Sequence, residues 1–148
     1  MHDATVTLFN RYEGQTGIYW YPSALKNVTL TIDKAAILAK YGGESNDSAA
    51  MSVPYQNMNG GRLVSGKPWV SPNAWENQVN ELLSETLTFA SGDFFWWGEW
   101  PDSELISDED YGIEGFYDYM SRKYDYVFRI SSVSSPYPLI PHFEILGR

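Results

Sequence analysis

The segment TVTLFNRY at residues 5–12 decides the fold class, because it is rich in β-branched and aromatic residues and predicts a β-strand. Residues 13–17, EGQTG, supply a turn, and IYWY at residues 18–21 predicts a second strand that ends before Pro22. Residues 28–32, VTLTI, alternate apolar and polar side chains with the period of a half-buried strand. The beginning of the chain therefore predicts antiparallel β structure.

Further strands are predicted along the rest of the chain. Residues 51–55 form one of them, and its Pro54 belongs on an edge or at a bulge, since proline cannot donate to a β-ladder. The sequence Asn59-Gly60-Gly61 is a strong hairpin signal. The other strands are predicted at residues 62–65, 86–89, 126–130 and 142–146. Asp33 to Tyr41 is left open between strand and helix, with a slight preference for strand.

Two short helices are predicted between these strands, at residues 73–84 and 108–124. In the first, Asn73 and Glu76 have the spacing of a capping box, with Asn in place of Ser or Thr. Its apolar residues fall on one helix face, formed by Trp75, Val79, Leu82 and Leu83. The second opens with three acidic residues and closes with Arg122-Lys123, so both ends agree with the helix dipole.

Together these elements predict a mainly β (β+α) fold, a small antiparallel β-barrel or sandwich with two short helices. The chain has 148 residues, near the most common size for one domain, so residues 1–148 are predicted to form a single domain. No stretch has the roughly 18 apolar residues of a membrane span, and no signal peptide is visible. We therefore expect a cytoplasmic chain without a membrane partner.

Composition excludes several classes of function. The chain has no cysteine, which removes disulfides, thiolate nucleophiles and cysteine-based metal sites. Its two histidines, His2 and His142, are too few and too distant in sequence for a histidine metal cluster. The net charge is −9 and the basic residues are scattered. Since nucleic-acid affinity depends on clustered Lys and Arg against phosphates, direct nucleic-acid binding is disfavoured.

No catalytic motif is present, neither a Gly-x-Ser-x-Gly nucleophile nor a phosphate-binding glycine loop. Paired carboxylates can hydrolyse glycosides, so the acidic stretch is the one tempting site. A solvated acidic loop before a helix is the more common explanation of such a stretch. We therefore predict no enzyme activity, no catalytic residue, no metal and no cofactor. The acidic stretch comprises Glu99, Asp102, Glu104, Asp108, Glu109 and Asp110.

The run FFWWGEW at residues 94–100 is the densest aromatic segment. Successive strand residues face opposite sides, so Trp96 and Trp97 cannot share a face. Two interpretations remain open: core packing on both faces, or an exposed patch that contacts another subunit. The predicted edge strand at 51–55 offers a second contact element, because an unpaired ladder invites another chain. The interface candidates are Val53, Pro54, Tyr55, Trp96, Trp97 and Trp100.

Segments spread over nearly the whole chain resemble a family of small, functionally uncharacterised structural proteins from phages and prophages of Gram-positive bacteria. The order and spacing of the segments carry this resemblance, since each segment alone is weak. They are VTLFN (6–10) with WYP (20–22), DK (33–34) before YG (41–42), GKPW (66–69) with Pro72 and Trp75, GDFF (92–95), and ISSV (130–133) with PHFEI (141–145).

The resemblance implies a head–tail connector, that is, a head-closure or minor capsid component with a β-barrel core. Its implied partners are other neck proteins of the phage, namely portal and tail-completion proteins, and copies of itself. The implied location is the host cytoplasm during assembly and the virion afterwards. The family has no catalytic residues to carry over. The acidic insertion at residues 102–115 departs from the shortest head-closure proteins, which leaves the connector position open.

Two other functions remain as alternatives. One is a phage-encoded protein that binds a host protein. The other is a carbohydrate-binding β-domain that uses the aromatic cluster at residues 94–100, where rings could stack on sugars beside the acidic residues. The charge is compatible with a connector ring, because an acidic channel does not hold the phosphates of passing DNA.

Overall fold

A computed structural model describes residues 3–33 and 48–148. Its strands, in chain order, are β1 (Ala4–Gly14), β2 (Gly17–Ile32), β3 (Ala49–Pro54), β4 (Gln56–Met58), β5 (Gly61–Val64), β6 (Lys67–Trp69), β7 (Phe94–Trp96), β8 (Ile106–Ser107), β9 (Val127–Val133) and β10 (His142–Gly147). Its α-helices are α1 (Pro72–Glu76), α2 (Glu81–Glu85) and α3 (Phe116–Lys123), and a 3₁₀ helix spans Asp108–Tyr111.

Six strands close into an antiparallel barrel. Their order around the wall is β1-β7-β9-β10-β3-β2, and pairing of β1 with β2 joins the two ends. All these pairings are antiparallel. The predicted mainly β fold is confirmed, and of the two predicted architectures the barrel is the one present.

The hairpin of β1 and β2 is the longest element of the wall. Its register runs from Gly14 opposite Gly17 through Phe9 opposite Pro22, so the predicted turn at 13–17 is confirmed. The predicted end of the second strand before Pro22 is wrong, because β2 continues to Ile32. Beside Pro22, β2 has β1 on one side only. A residue without an N–H is tolerated there, because no second ladder needs it.

Strand β3 has an unpaired edge only at its last two residues. The predicted edge is therefore wrong for Met51 and Ser52 and correct for Val53 and Pro54. Residues Ala49 to Ser52 pair with β2 on one side and with β10 on the other, so most of β3 lies inside the closed wall. Only Val53 and Pro54 extend beyond β2 and keep β10 as their single partner. Pro54 thus lies at a one-sided end of the strand, as its missing N–H requires.

The barrel interior follows the period-two alternation of its strands. The β1 residues Val6 and Leu8 point inward and are fully buried. The next residue along β1, Phe9, points outward and packs into a second cluster. Burial of one such aliphatic or aromatic side chain stabilises the fold by about 1.5–3 kcal/mol. The inward cluster is completed by residues that include Leu25, Val28, Met51, Val53, Phe95, Phe128, Phe143 and Ile145.

A helical layer covers the outer face of β1, β2 and β7. Phe9, Trp20 and Phe94 pack there against Phe116 and Met120 of α3. The predicted helix 108–124 is interrupted: a 3₁₀ turn ends at Tyr111, and α3 begins only at Phe116. The interruption includes Gly115, which has φ +91° and whose Cα approaches the Asp108 carboxylate so closely that a Cβ would lie 2.7 Å from an oxygen.

The predicted helix 73–84 is also two elements, α1 and α2. Helix α1 begins at Pro72 and its N-cap is Ser71, so Asn73 lies inside the helix and the predicted capping box of Asn73 and Glu76 is wrong. Asn80 has φ +24°, which no continuous helix accepts. Because the chain turns there, the predicted apolar face is divided: Trp75 and Leu83 are buried, whereas Val79 and Leu82 are exposed.

The remaining strands β4, β5 and β6 form a separate three-stranded sheet. The predicted hairpin at Asn59-Gly60 is confirmed, with Met58 opposite Gly61. Among residues 86–89, only Leu87 forms a bridge, to Trp69, so that predicted strand is wrong. The open choice between strand and helix for residues 33–41 falls, except at Asp33, outside the described residues, as does His2.

Candidate functional site

The predicted interface tryptophans lie on two different faces of the barrel. Trp96 and Trp100 pack into the outer cluster beneath α3, whereas Trp97 packs against the inward cluster. All three are half-buried. Trp96 lies 4.6 Å from the Tyr124 ring and Trp97 lies 5.1 Å from the Tyr126 ring, measured between centroids. Packing within the chain thus occupies much of each ring, and their role in an interface stays a prediction.

The other interface candidates lie at the end of β3 and directly after it. Val53 is fully buried and Tyr55 is nearly so, which leaves Pro54 as the exposed member. The hydroxyl of Tyr55 donates a hydrogen bond to the carbonyl oxygen of Tyr137 at 2.8 Å. The structure therefore gives Tyr55 a supporting position beneath the loop that joins β9 to β10.

That loop carries the most exposed pair of adjacent apolar side chains in the described chain. We call residues 138–141, Pro-Leu-Ile-Pro, the tip loop. Leu139 is 85% exposed and Ile140 is 86% exposed. In the sequence this segment is a proline-rich connection between the last two predicted strands. The signal that could have found it is a pair of aliphatic residues between two turn-forming prolines, where no core can receive them.

The base of the tip loop is held by several contacts. The Tyr137 N–H donates to the His142 carbonyl at 3.0 Å, and the two rings stack 4.7 Å apart with a 6° angle between planes. Because a carbonyl oxygen can only accept, His142 Nδ1 is the donor in its 2.6 Å hydrogen bond to the carbonyl of Ile140. These bonds hold Ile140 at φ +48°, a conformation that costs a β-branched residue about 1–3 kcal/mol.

A tyrosine-lined cleft of about 490 Å³ lies beside the β1–β2 hairpin. Its volume is within the usual range of ligand clefts. Thr16 and Tyr19 side-chain oxygens lie 2.6 Å apart at its rim in a hydrogen bond. None of its lining residues carries a formal charge at neutral pH: they are Tyr12, Gly14, Gln15, Thr16, Tyr19, Tyr21, Asn80, Leu83 and Leu105. We call this the tyrosine cleft.

The acidic residues that were considered as a hydrolytic site do not form one cluster. Asp108 accepts hydrogen bonds from Trp20 Nε1 at 2.8 Å and from the Phe116 N–H at 2.9 Å, so it anchors the start of α3 to the barrel. Glu99 pairs with Lys26 at 3.1 Å on another part of the surface. Within residues 3–33 and 48–148, no group of three His, Asp or Glu side chains is arranged to hold a metal ion.

Among the described residues, Asp93 is the only Asp, Glu, Lys or Arg whose side chain is buried, at 3% exposure. Its carboxyl accepts hydrogen bonds from Asn10 Nδ2 (2.8 Å) and from the N–H groups of Arg11 (2.8 Å) and Ala90 (3.0 Å). Asn10 Nδ2 also donates to the Thr88 carbonyl at 2.7 Å. Burial nevertheless raises the pKa of Asp93 to about 7 against the opposing effect of these bonds. The network attaches the segment before β7 to β1.

We expect the free energy of unfolding to fall as the pH rises from about 4 to about 7. The folded-state pKa of Asp93 lies near 7 and its ordinary value is 3.8, so the folded chain holds the proton more tightly. That stabilisation is complete below pH 4 and is lost as the pH passes 7, by about 4 kcal/mol at most. Urea unfolding across this interval measures it.

The matched control is Asp93→Asn, which removes the titrating carboxyl and keeps its shape. The difference in unfolding free energy between the two proteins isolates this carboxyl from the other acidic groups. If the stability of the wild type rises relative to the variant over this interval, the three hydrogen bonds outweigh burial and the direction given for the pKa is wrong.

None of the helices in the described segments has the length and apolarity needed to cross a lipid bilayer. Comparison with curated proteins finds no match, and comparison with solved structures finds none either. A model of DUF6751, a family of unknown function, matches residues 1–148. Since the match covers the whole sequence, the chain belongs to the DUF6751 family.

Proposed function

We propose that this chain is a non-enzymatic structural protein of a phage particle, a head–tail connector or head-completion component. It acts by binding the portal, tail-completion proteins and other copies of itself. The observation that carries the proposal is the tip loop, which presents Leu139 and Ile140 almost fully to solvent on a supported backbone. The resemblance described above supplies the phage context.

The tip loop favours a binding function on physical grounds. Exposed aliphatic side chains on a strained backbone stabilise nothing within the chain, and such strain concentrates at binding sites. Because Tyr55, Tyr137 and His142 already hold the loop, little conformational entropy is lost when a partner covers it. These properties are those of a preformed protein contact.

The charge distribution favours protein partners over DNA. The net charge is −9, and several cations are locally neutralised by carboxylates. Lys26 pairs with Glu99 and Arg122 pairs with Glu114. Since phosphate binding needs clustered, available cations, the surface does not retain passing DNA.

The alternative of a carbohydrate-binding domain at residues 94–100 has less support. A sugar stacks on an open aromatic face, and these rings already contact others. Trp100 lies 5.6 Å from the Phe9 ring and 5.4 Å from the Phe116 ring, between centroids. Trp96 and Trp97 have Tyr124 and Tyr126 beside them. The remaining alternative, a phage protein that binds a host protein, is separated from the connector by experiment.

Deletion of the gene from its phage or prophage tests the proposal. We expect filled heads without tails, or heads that lose their DNA, and a titre at least about 100-fold lower that plasmid-borne wild type restores. Electron microscopy and plaque counts measure both. Mass spectrometry of purified particles should find the chain. A normal titre from the deletion strain, with the chain absent from particles, contradicts the connector role and supports the host-binding alternative.

A further inference from the structure

We propose that the tip loop of one copy of this chain inserts into the tyrosine cleft of a second copy, in a head-to-tail contact. The inference deepens the proposed function and rests on it for its biological setting. It names self-association as the use of both surfaces. Three properties of the described residues carry it: charge, position around the barrel and chemical fit.

Neither surface carries an acidic or basic side chain. Residues 134–142, which hold the tip loop, include no Asp, Glu, Lys or Arg, and the lining of the tyrosine cleft includes none either. A larger cleft of about 600 Å³ shares Gly14, Gln15 and Thr16 of the hairpin tip with the tyrosine cleft, but its lining includes three acidic residues. These are Glu13, Asp108 and Glu109. On a chain of net charge −9, a contact between two copies avoids like-charge repulsion best through uncharged surfaces.

Position makes the contact heterologous. In the order β1-β7-β9-β10-β3-β2, the strands β9 and β10 lie across the barrel from β2 and β1. The tip loop therefore leaves one wall, while the tyrosine cleft lies beside the hairpin of the opposite wall. Because β9 runs parallel to β1, both surfaces lie toward the same end of the barrel. A chain whose protrusion and receptor are two different surfaces associates head to tail. Such contacts close into rings when the rotation permits.

Chemical fit supports the pairing and indicates its strength. The tip loop offers two aliphatic side chains, and the cleft offers tyrosine rings with Leu83 and Leu105 at its wall. Leu105 is 50% exposed and so has apolar surface left to cover. Two buried side chains make a weak contact once the entropy of association is subtracted. The contact should therefore populate at high local concentration, as on a ring-shaped template.

Engineered disulfides test the contact directly, because the chain has no cysteine of its own. We expect an equimolar mixture of Leu139→Cys and Leu105→Cys to form a linked heterodimer under mild oxidation. The control mixture pairs Leu139→Cys with Asp125→Cys. Asp125 is exposed and precedes β9, at the barrel end away from the tip loop. The initial rate of linkage should be at least about 10-fold higher than in the control, and equal rates overturn the proposal.

A mixing experiment checks the head-to-tail geometry. The variant Leu139→Asp/Ile140→Asp keeps only a working cleft, and Leu105→Asp keeps only a working tip loop. All three side chains are exposed, so folding should be unaffected. By analytical ultracentrifugation at high concentration, each variant alone should be monomeric, and the mixture should form a 1:1 dimer and nothing larger. Dimers of either variant alone, or a monomeric mixture, contradict the geometry.

These outcomes are independent of the gene deletion. If the linked heterodimer forms but the deletion strain is fully infectious, the self-contact stands and the connector role is wrong. If the deletion abolishes particle assembly but linkage matches the control, the connector role stands and this contact is wrong.

Discussion

Replacing Asp93 with Ala is expected to lower the free energy of unfolding by about 3–5 kcal/mol, because it leaves buried donors without acceptors. The donors are the Asn10 amide and the N–H groups of Arg11 and Ala90, all within 3.0 Å of the carboxyl. Asp93 itself is 3% exposed, so water cannot replace the lost bonds without opening the core. Urea denaturation at fixed pH measures the loss.

The control for this variant is Glu13→Ala, which removes an exposed carboxylate 3.8 Å from Arg11. Surface ion pairs contribute little, so a change within about 0.5 kcal/mol is expected. If Asp93→Ala costs no more than Glu13→Ala, the buried network does not hold the segment before β7 to the barrel.

Replacing Phe116 with Ala is expected to lower the free energy of unfolding by about 3–5 kcal/mol, the usual loss for a buried phenylalanine. Its ring is fully buried and lies 5.2 Å from the Phe9 ring and 5.8 Å from the Phe94 ring, between centroids. It is the main attachment of α3 to the barrel wall. We also expect a red shift of tryptophan fluorescence, since Trp20 lies in the same cluster.

The matched control is Ile113→Ala, two residues after the 3₁₀ helix ends at Tyr111 and fully exposed at 106%. It should change the unfolding free energy by less than about 0.5 kcal/mol and leave the fluorescence unchanged. A loss below about 1 kcal/mol for Phe116→Ala, or an equal loss for both variants, shows that α3 is not anchored by this ring.

Much of the fold follows from local sequence. The strand at residues 5–12, the turn at 13–17, the Asn59-Gly60 hairpin and the final two strands are all present where they were predicted. Alternation and turn chemistry depend on each residue's own backbone preferences and close neighbours. A mainly β barrel with short helices was therefore within reach of the sequence.

The errors arise where a distant partner decides. Whether β3 is an edge depends on β2 and β10, and the latter lies about 90 residues further along the chain. The division of residues 73–84 depends on where Trp75 and Leu83 find room in the core, which overrides helix propensity over so short a segment. Local sequence patterns do not show which distant strand will pair with a segment or where in the core its side chains will pack.

The sequence by itself determined the β class, the main turns and the net charge of −9. Only the tertiary structure decided which uncharged surfaces lie opposite each other and which carboxyl is buried. In the sequence, Asp93 is only one residue of the GDFF segment. In the folded barrel its carboxyl accepts a hydrogen bond from Asn10, 83 residues away in sequence. Leu139 and Ile140 are a candidate contact because their side chains are exposed in the folded barrel, which the sequence does not show. Burial and surface position are set by packing between segments distant in sequence, so they emerge only once the barrel closes.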